Sequence, residues 1–367
     1  MYIYHNPKWP DFIWDTNLIT DLLIKVKLKQ GYLLGKMDTL GFEIKEKAIL
    51  SVLTEDIIKS SQIEGQFLNM EQVRSSIAKK LGLDIDSNIN IDRNVEGVVG
   101  MILDATYHYD KALTKSRLLG WQSSIFPSDF SGLYKIKTGS YRDDLKGPMQ
   151  IVSGPTGKER VHYQAPSASI LDKEMNMLIS YCNDKSKKID LIIKSAIVHL
   201  WFVIIHPFED GNGRIARALS DMFLARSESS PNRFYSMSSQ IKKERKSYYK
   251  ALEITQKSSL DITLWLKWFL ENLILAIESS QELLKSVLQK AEFWKKHQNT
   301  SFNKRQTKVL NKMLDNFKGN LTTAKWAKMT DSSQDTATRD ISDLIKKDIL
   351  VKHGFARATH YRLKFPE

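Results

Sequence analysis

Apolar residues recur at helical spacing along most of the chain. Val95, Val98, Val99, Ile102 and Leu103 make one stripe, and Leu191, Ile192, Ala196, Leu200 and Val203 another, each with the three-and-four spacing that turns one helix face to a core. The pattern predicts a mostly helical body. One stretch breaks it: GPMQIVSGPTGKERVHYQAP, Gly147 to Pro166, sets Gly and Pro around two short β-prone runs, Met149–Val152 and Arg160–Tyr163. It predicts a β-hairpin projecting from the helices. Near the C-terminal end, RQTKVLNKML, LTTAKWAKM and SSQDTATRDISDLIKKD predict three short helices, and ILVKHGFARATHYRL alternates like a hairpin turning near Gly354. The polar, aperiodic stretch Lys295–Arg305 marks the expected domain boundary.

Length, composition and charge change this picture. A length of 367 residues exceeds the usual domain size of roughly 100–200 and predicts two or three compact units. The most membrane-like stretch, Ile189 to Ile205, is interrupted by Asp190, Lys194 and His199, so it is expected as a buried helix with no membrane partner. The start, MYIYHNPKWPDFIWD, has no basic segment followed by an apolar run and reads as mature sequence. A single cysteine, Cys182, excludes an internal disulfide and fits a reducing, cytoplasmic setting. The net charge of +13 points to an anionic partner. Residues 302–367 hold fourteen Lys or Arg against seven Asp or Glu, about half of that excess.

The densest chemistry lies in IIHPFEDGNGRIAR, residues 204–217. An apolar helix runs up to it, Pro207 discourages continuation, Gly211 and Gly213 free the backbone, and an amphipathic pattern resumes with Ile215, Ala218, Leu219 and Met222. At the start of the second helix, unpaired N–H groups and the positive dipole end make an anion site that glycines let a phosphate approach. Arg214 and Arg217, three apart, share a face and can grip further phosphate oxygens. His206, with an ordinary pKa of roughly 6.5, can accept a proton at neutral pH. Two other patterns fail. DGNGRI copies the middle of a calcium-binding EF-hand loop, but the terminal positions would be Phe208 and Leu219. GPTGK, Gly154 to Lys158, is too short for a P-loop, and Glu159 replaces its Ser or Thr.

The cluster resembles the signature of the Fic family, HPFx(D/E)GNGRxxR, at every specified position. The resemblance extends loosely over residues 35–275. It implies an all-α Fic-type core with a small β flap. The implied activity is transfer of AMP from ATP to a Ser, Thr or Tyr hydroxyl of a protein, including the enzyme itself. In that reading His206 is the base and Asp210 holds Mg²⁺. Gly211, Asn212 and Gly213 cradle the phosphates, Arg214 and Arg217 bind the β and γ groups, and Phe208 is an apolar anchor. The hairpin corresponds to the family's flap, with Ile151, Val152 and Ser153 flanking target backbone and nucleotide. RKSYYKALEITQ resembles the segment beside the adenosine, which makes Tyr248, Tyr249 and Gln256 candidate adenine or ribose contacts.

Upstream, KSSQIEGQFL places Ser60 and Glu64 four apart, on one face of a helix that Gly65 can stop. It is similar to the family's inhibitory motif, (S/T)xxxE(G/N), which implies that Glu64 pairs with Arg217 and denies it to the γ-phosphate. The same carboxylate could instead serve AMP removal, and the core could transfer another phosphate-linked group. The C-terminal stretch looks like a winged helix with a phosphate footprint of Thr336, Thr338, Arg339, Lys346, Lys352, Arg357, His360 and Arg362, opposed by Asp335, Asp340 and Asp343. DNA binding, protein docking and dimerisation all fit such a module. A nucleotide-sensing DNA-binding regulator is the reading from another class, and homo-oligomers remain open. The expected domains are 1–110 with the inhibitory helix near 55–65, a Fic core at 111–290, and a winged helix at 302–367.

Overall fold

The computed structural model describes residues 2–38, 41–83, 89–155, 158, 160–186, 189–314, 317, 319–355 and 358–364. The chain divides into two compact units, residues 1–280 and 281–367.

The first unit contains α1 (Thr16–Asp38), α2 (Phe42–Ile63), α3 (Met70–Leu81), α4 (Arg93–Tyr107), α5 (Lys115–Ser124), α6 (Leu171–Asn183), α7 (Leu191–Ile205), α8 (Asn212–Glu228), α9 (Met237–Lys243), α10 (Arg245–Gln256) and most of α11 (Thr263–Lys296). Two antiparallel hairpins project from it, β1 (Phe130–Ser131) with β2 (Tyr134–Lys135) and β3 (Gln150–Ser153) with β4 (Arg160–Gln164). The second pair is the hairpin expected from the Gly and Pro punctuation. The first, with strands of two residues, is too short to leave a period in the sequence.

The helical hairpin α7–α8 forms the centre. Ile192, Ala196, Leu200, Phe202, Ile215, Leu219, Met222 and Phe223 are all buried, and each large apolar side chain so placed stabilises the fold by roughly 1.5–3 kcal/mol. Helix α7 stops where His206 adopts a left-handed backbone, φ 50° and ψ 57°, ahead of Pro207, which removes a donor. Helix α8 restarts from Gly211 at φ 90°. A Cβ there would approach Ile125 Cδ1 to 2.8 Å and Phe126 Cε2 to 3.0 Å, so both sterics and dihedral demand glycine. Helix α2 lies against α9. Asp56 Oδ1 accepts from Ser236 Oγ at 2.6 Å and from Ser238 N at 3.2 Å. Lys242 Nζ donates to Gln62 O at 2.8 Å, satisfying a carbonyl at the end of α2. Among the described residues, no helix is long and apolar enough to cross a membrane.

The second unit holds α12 (Lys304–Leu314), α13 (Thr323–Thr330), α14 (Gln334–Lys346) and the antiparallel pair β5 (Leu350–His353) and β6 (His360–Leu363). They enclose a core of Val309, Leu310, Leu321, Trp326, Ile341, Leu344 and Ile349, and an isolated bridge joins Leu321 to Tyr361. Two of the acids expected to oppose phosphate are used internally. Buried Asp340 accepts from Arg305 Nε at 2.7 Å and Asn303 Nδ2 at 2.8 Å. Asp343 accepts from Lys347 Nζ at 2.6 Å and Gln306 Nε2 at 2.7 Å. Periodicity puts them on α14, but only packing of α12 against it shows what they neutralise. Arg357 lies outside the described residues, as do Thr156 and Gly157 of the GPTGK stretch and Glu159 after it.

Candidate active site

The turn from Pro207 to Gly211 is closed by its own side chains. Asn212 donates from Nδ2 to Phe208 O at 2.7 Å and accepts at Oδ1 from Phe208 N at 3.0 Å, so its amide holds the turn. Phe208 is fully buried and leans on Phe202 and Tyr141. Asp210 accepts from Gly211 N at 2.5 Å and from the Ser131 hydroxyl of the β1–β2 hairpin. Glu209 accepts from Lys137 N at 3.0 Å.

His206 is fixed by a residue that periodicity does not single out. Arg142 is buried, and it donates from Nε to His206 O at 2.8 Å, from Nη1 to Asp144 Oδ1 at 2.8 Å and from Nη2 to Pro166 O at 2.5 Å. Its own N–H donates to Pro207 O at 2.9 Å. One guanidinium thus ties the turn that follows α7 to the base of the hairpin. The His206 ring makes a long contact from Nδ1 to Val203 O, 3.4 Å; a proton there leaves Nε2 as the acceptor. Burial pulls the imidazole down to about 4, against the opposing pull of the Val203 carbonyl, Glu64 and Asp210. It is therefore neutral at physiological pH.

Both arginines of the second helix are buried, and both are held by the segment that ends α2. Arg217 donates from Nε to Ser60 Oγ and from Nη2 to Ser60 O, each 2.9 Å, while its Nη1 lies 2.9 Å from Glu64 Oε1. That last contact is off the N–H direction, so it is an ion contact and not one arm of a bidentate fork. Burial weighs against the charge on Arg217, but the Glu64 carboxylate outweighs it and the pKa is raised. Gly65, at φ 79°, turns the chain so that Gln66 Oε1 accepts from Arg214 Nη1 at 2.8 Å. Arg214 also stacks over Phe126, 4.7 Å from its ring centre, and its Nε and Nη2 have no hydrogen-bond partner among the described residues. Orphaned cationic donors beside a helix N-terminus suit phosphate oxygens. The Glu64 carboxylate stands over that terminus: a Cβ on Gly213 would lie 2.1 Å from Glu64 Oε1.

A cleft of about 780 Å³ opens above these groups, and its walls bring His206, Asp210, Asn212, Gly213 and Glu64 together with β3, β4 and α10. Ile151, Val152 and Ser153 line it from β3, and Tyr248, Tyr249 and Gln256 from α10. Tyr248 is buried and its hydroxyl sits 2.9 Å from His199 Nε2, whereas Tyr249 is 39% exposed with Arg245 over its ring at 5.3 Å. Gln256 is buried. Sequence reasoning missed Arg142, Gln66, Ser131, His162 and Glu253; no spacing rule marks residues that meet only across the fold.

Residues 112–224 match the Fic/DOC family. Residues 2–83 match a domain of unknown function, DUF4172. Over 166 residues the chain is 40% identical to protein adenylyltransferase fic-1 of Caenorhabditis elegans, covering 45% of this chain and 30% of that protein. It is 24% identical over 185 residues to the probable protein adenylyltransferase aq_aa38 of Aquifex aeolicus, covering 50% and 52%. The chain thus spans about half the length, or less, of these curated relatives. A solved Fic family protein from Desulfovibrio desulfuricans superposes with a TM-score of 0.54 at 19% identity over 97% of this chain and 98% of that one, which shows a shared fold. The matched segment begins just ahead of α5 and ends in α8, so it contains His206, Arg214 and Arg217 but not the Glu64 that reaches Arg217.

Proposed function

We propose that this chain transfers AMP from ATP to a hydroxyl of a protein, itself included, and that Glu64 restrains the reaction. The carrying observation is the meeting of Ser60 and Glu64 with Arg217 directly over Gly213, at the anion site beside His206. A carboxylate there would compete with a phosphate for Arg217. ATP would lie along the cleft with its phosphates at the N-terminus of α8 and on Arg214 and, once released, Arg217. On a hydroxyl of another protein, His206 Nε2 takes the proton while oxygen attacks the α-phosphorus and diphosphate leaves. Asp210 is the carboxylate placed to hold Mg²⁺ beside phosphate oxygens, where the ion would neutralise developing charge. A cytoplasmic location fits a nucleotide-dependent enzyme whose one cysteine, Cys182, is a free buried thiol.

Glu64→Gly tests this reading. Arg217 would then be satisfied by substrate; its guanidinium is buried but the Glu64 side chain keeps 28% of its surface exposed, so the pair is worth less than the ~3–5 kcal/mol of a fully buried one. Part of that suffices for a tenfold rise, since each 1.4 kcal/mol is a factor of ten. Intact-mass measurement after incubation with ATP and Mg²⁺ should show at least about ten times more AMP adducts than in wild type, and Glu64→Gly with Arg217→Ala should lose most of the gain. No adduct on any protein in folded Glu64→Gly would end the transferase reading.

For the second unit, the internal use of Asp340 and Asp343 favours a winged helix that binds duplex DNA through exposed Arg339, Lys346, Lys352 and Arg362. Retardation of duplex DNA by the full chain should weaken steeply with salt, and Arg339→Ala with Lys346→Ala should lower the salt slope by roughly one per lost phosphate contact. Absence of retardation at low salt would point to protein docking.

A further inference from the structure

The cleft holds a second set of reactive groups that the transfer just described does not use. Ser153 Oγ lies 2.6 Å from His162 Nε2, and His162 Nδ1 lies 3.2 Å from Glu253 Oε2. A hydroxyl against one imidazole nitrogen and a carboxylate against the other is the arrangement that turns serine into a nucleophile. It is built by an irregularity in the flap. Ile151 pairs with Tyr163 but Val152 pairs with Val161, so His162 is an extra residue between them, and a bulge of this kind re-aims a side chain. Glu253, from α10, is itself positioned: its Oε1 accepts from Lys257 Nζ at 2.6 Å and lies 3.7 Å from Arg160 Nη2.

These three residues line the same cleft as His206, Asp210 and Gly213, and Ser153 is exposed. We infer that Ser153, activated by His162 and Glu253, is the residue of this chain that accepts AMP in self-modification. This rests on the transferase reading and names its acceptor in cis. Ser153 Oγ bonds to the α-phosphorus of ATP as the bond from that phosphorus to the oxygen bridging the β-phosphate breaks. Diphosphate leaves with the electron pair, the serine proton passes to His162 Nε2, and Glu253 stabilises the imidazolium. The product places a bulky phosphodiester on the strand that faces incoming protein, so self-modification would compete with transfer to other proteins.

The test uses the full-length Glu64→Gly protein with α-labelled ATP and Mg²⁺, followed by peptide mapping. The label should fall on the peptide containing Ser153, vanish from it in Ser153→Ala, and drop at least about 100-fold in His162→Asn, the size of a lost general base. A parallel arm without nucleotide treats the same variants with a fluorophosphonate, which should modify Ser153 in a His162-dependent way. AMP found only on other residues, or on Ser153 at an unchanged level in His162→Asn, overturns the inference while the transferase reading stands. A protein that reacts with the fluorophosphonate at Ser153 yet transfers AMP to nothing overturns both. No fluorophosphonate reaction at Ser153 reduces the three residues to a cross-strand hydrogen bond and overturns the activated serine.

Discussion

The two ends of the cleft are built on opposite terms. At the end proposed to take phosphate, Arg214 and Arg217 are almost wholly buried, and a buried guanidinium without an anion is costly. Its partners come from α2, far away in the chain, so this end has two alternatives: Glu64 or a ligand. At the flap end, Val152 and Tyr249 are 47% and 39% exposed, and polar groups are satisfied by near neighbours such as Lys257 on Glu253 or Arg245 on Tyr249. Nothing there must be exchanged for a ligand. Buried charge makes a site switch-like, and exposed contact makes it graded. Substitutions at the first end should therefore have large effects on nucleotide binding and on transfer to other proteins, and those at the second small ones.

The largest effect is expected at His206. Its left-handed backbone penalises alanine but suits asparagine, so His206→Asn is the cleaner variant, and it should lose about 10²- to 10⁴-fold in transfer to other proteins with ATP affinity largely kept. Labelled-AMP incorporation beside nucleotide titration measures both, and full turnover in folded His206→Asn would remove the base from this position. The same imidazole predicts a pH profile. Because burial lowers its pKa to about 4, the basic form persists as pH falls through 6.5 and is lost only near 4. The acid limb of kcat/KM in Glu64→Gly should lie there, since removing Glu64 takes away one group that raises this pKa; a limb near 6.5 would show that the ring is hydrated.

Next comes Asp210→Ala, which should weaken Mg²⁺-dependent nucleotide binding at least about tenfold, or 1.4 kcal/mol. Glu209→Gln should bind nearly as wild type, because glutamine can still accept from Lys137 N. Equal Mg²⁺ titrations for Asp210→Ala and wild type would contradict the assignment. The smallest effect belongs to the flap end. Tyr249→Ala removes an exposed ring and its cation–π contact, about 0.5–1 kcal/mol, so nucleotide affinity should fall roughly two- to fivefold. A loss as large as that of Asp210→Ala would place Tyr249 among the groups that must be replaced by a ligand.

The helix–turn–helix around residues 206–217 was legible because its chemistry is local: a proline, two glycines and two arginines fix a helix terminus within a few residues. Ser60 and Glu64 were legible as a pair on one face, four residues apart. Their geometry against Arg217 was not. Ser60 takes two of the guanidinium's hydrogen bonds, a share that spacing gives no reason to expect. Asn212, read as a phosphate ligand, spends its amide on Phe208, because only the closed turn brings those backbone groups within reach.

Periodicity and turn chemistry are short-range, since they depend on φ, ψ and side-chain direction over one or two turns. From them came the helical body, the flap, the basic C-terminal segment and the anion site. Long-range packing supplied the rest. Arg142 reaches His206, Gln66 reaches Arg214, Glu64 covers Gly213, and Glu253 completes a chain through His162 to Ser153. In each case the partners are far apart along the chain, and a hydrogen bond forms only within about 3 Å. No pattern in one dimension encodes that distance.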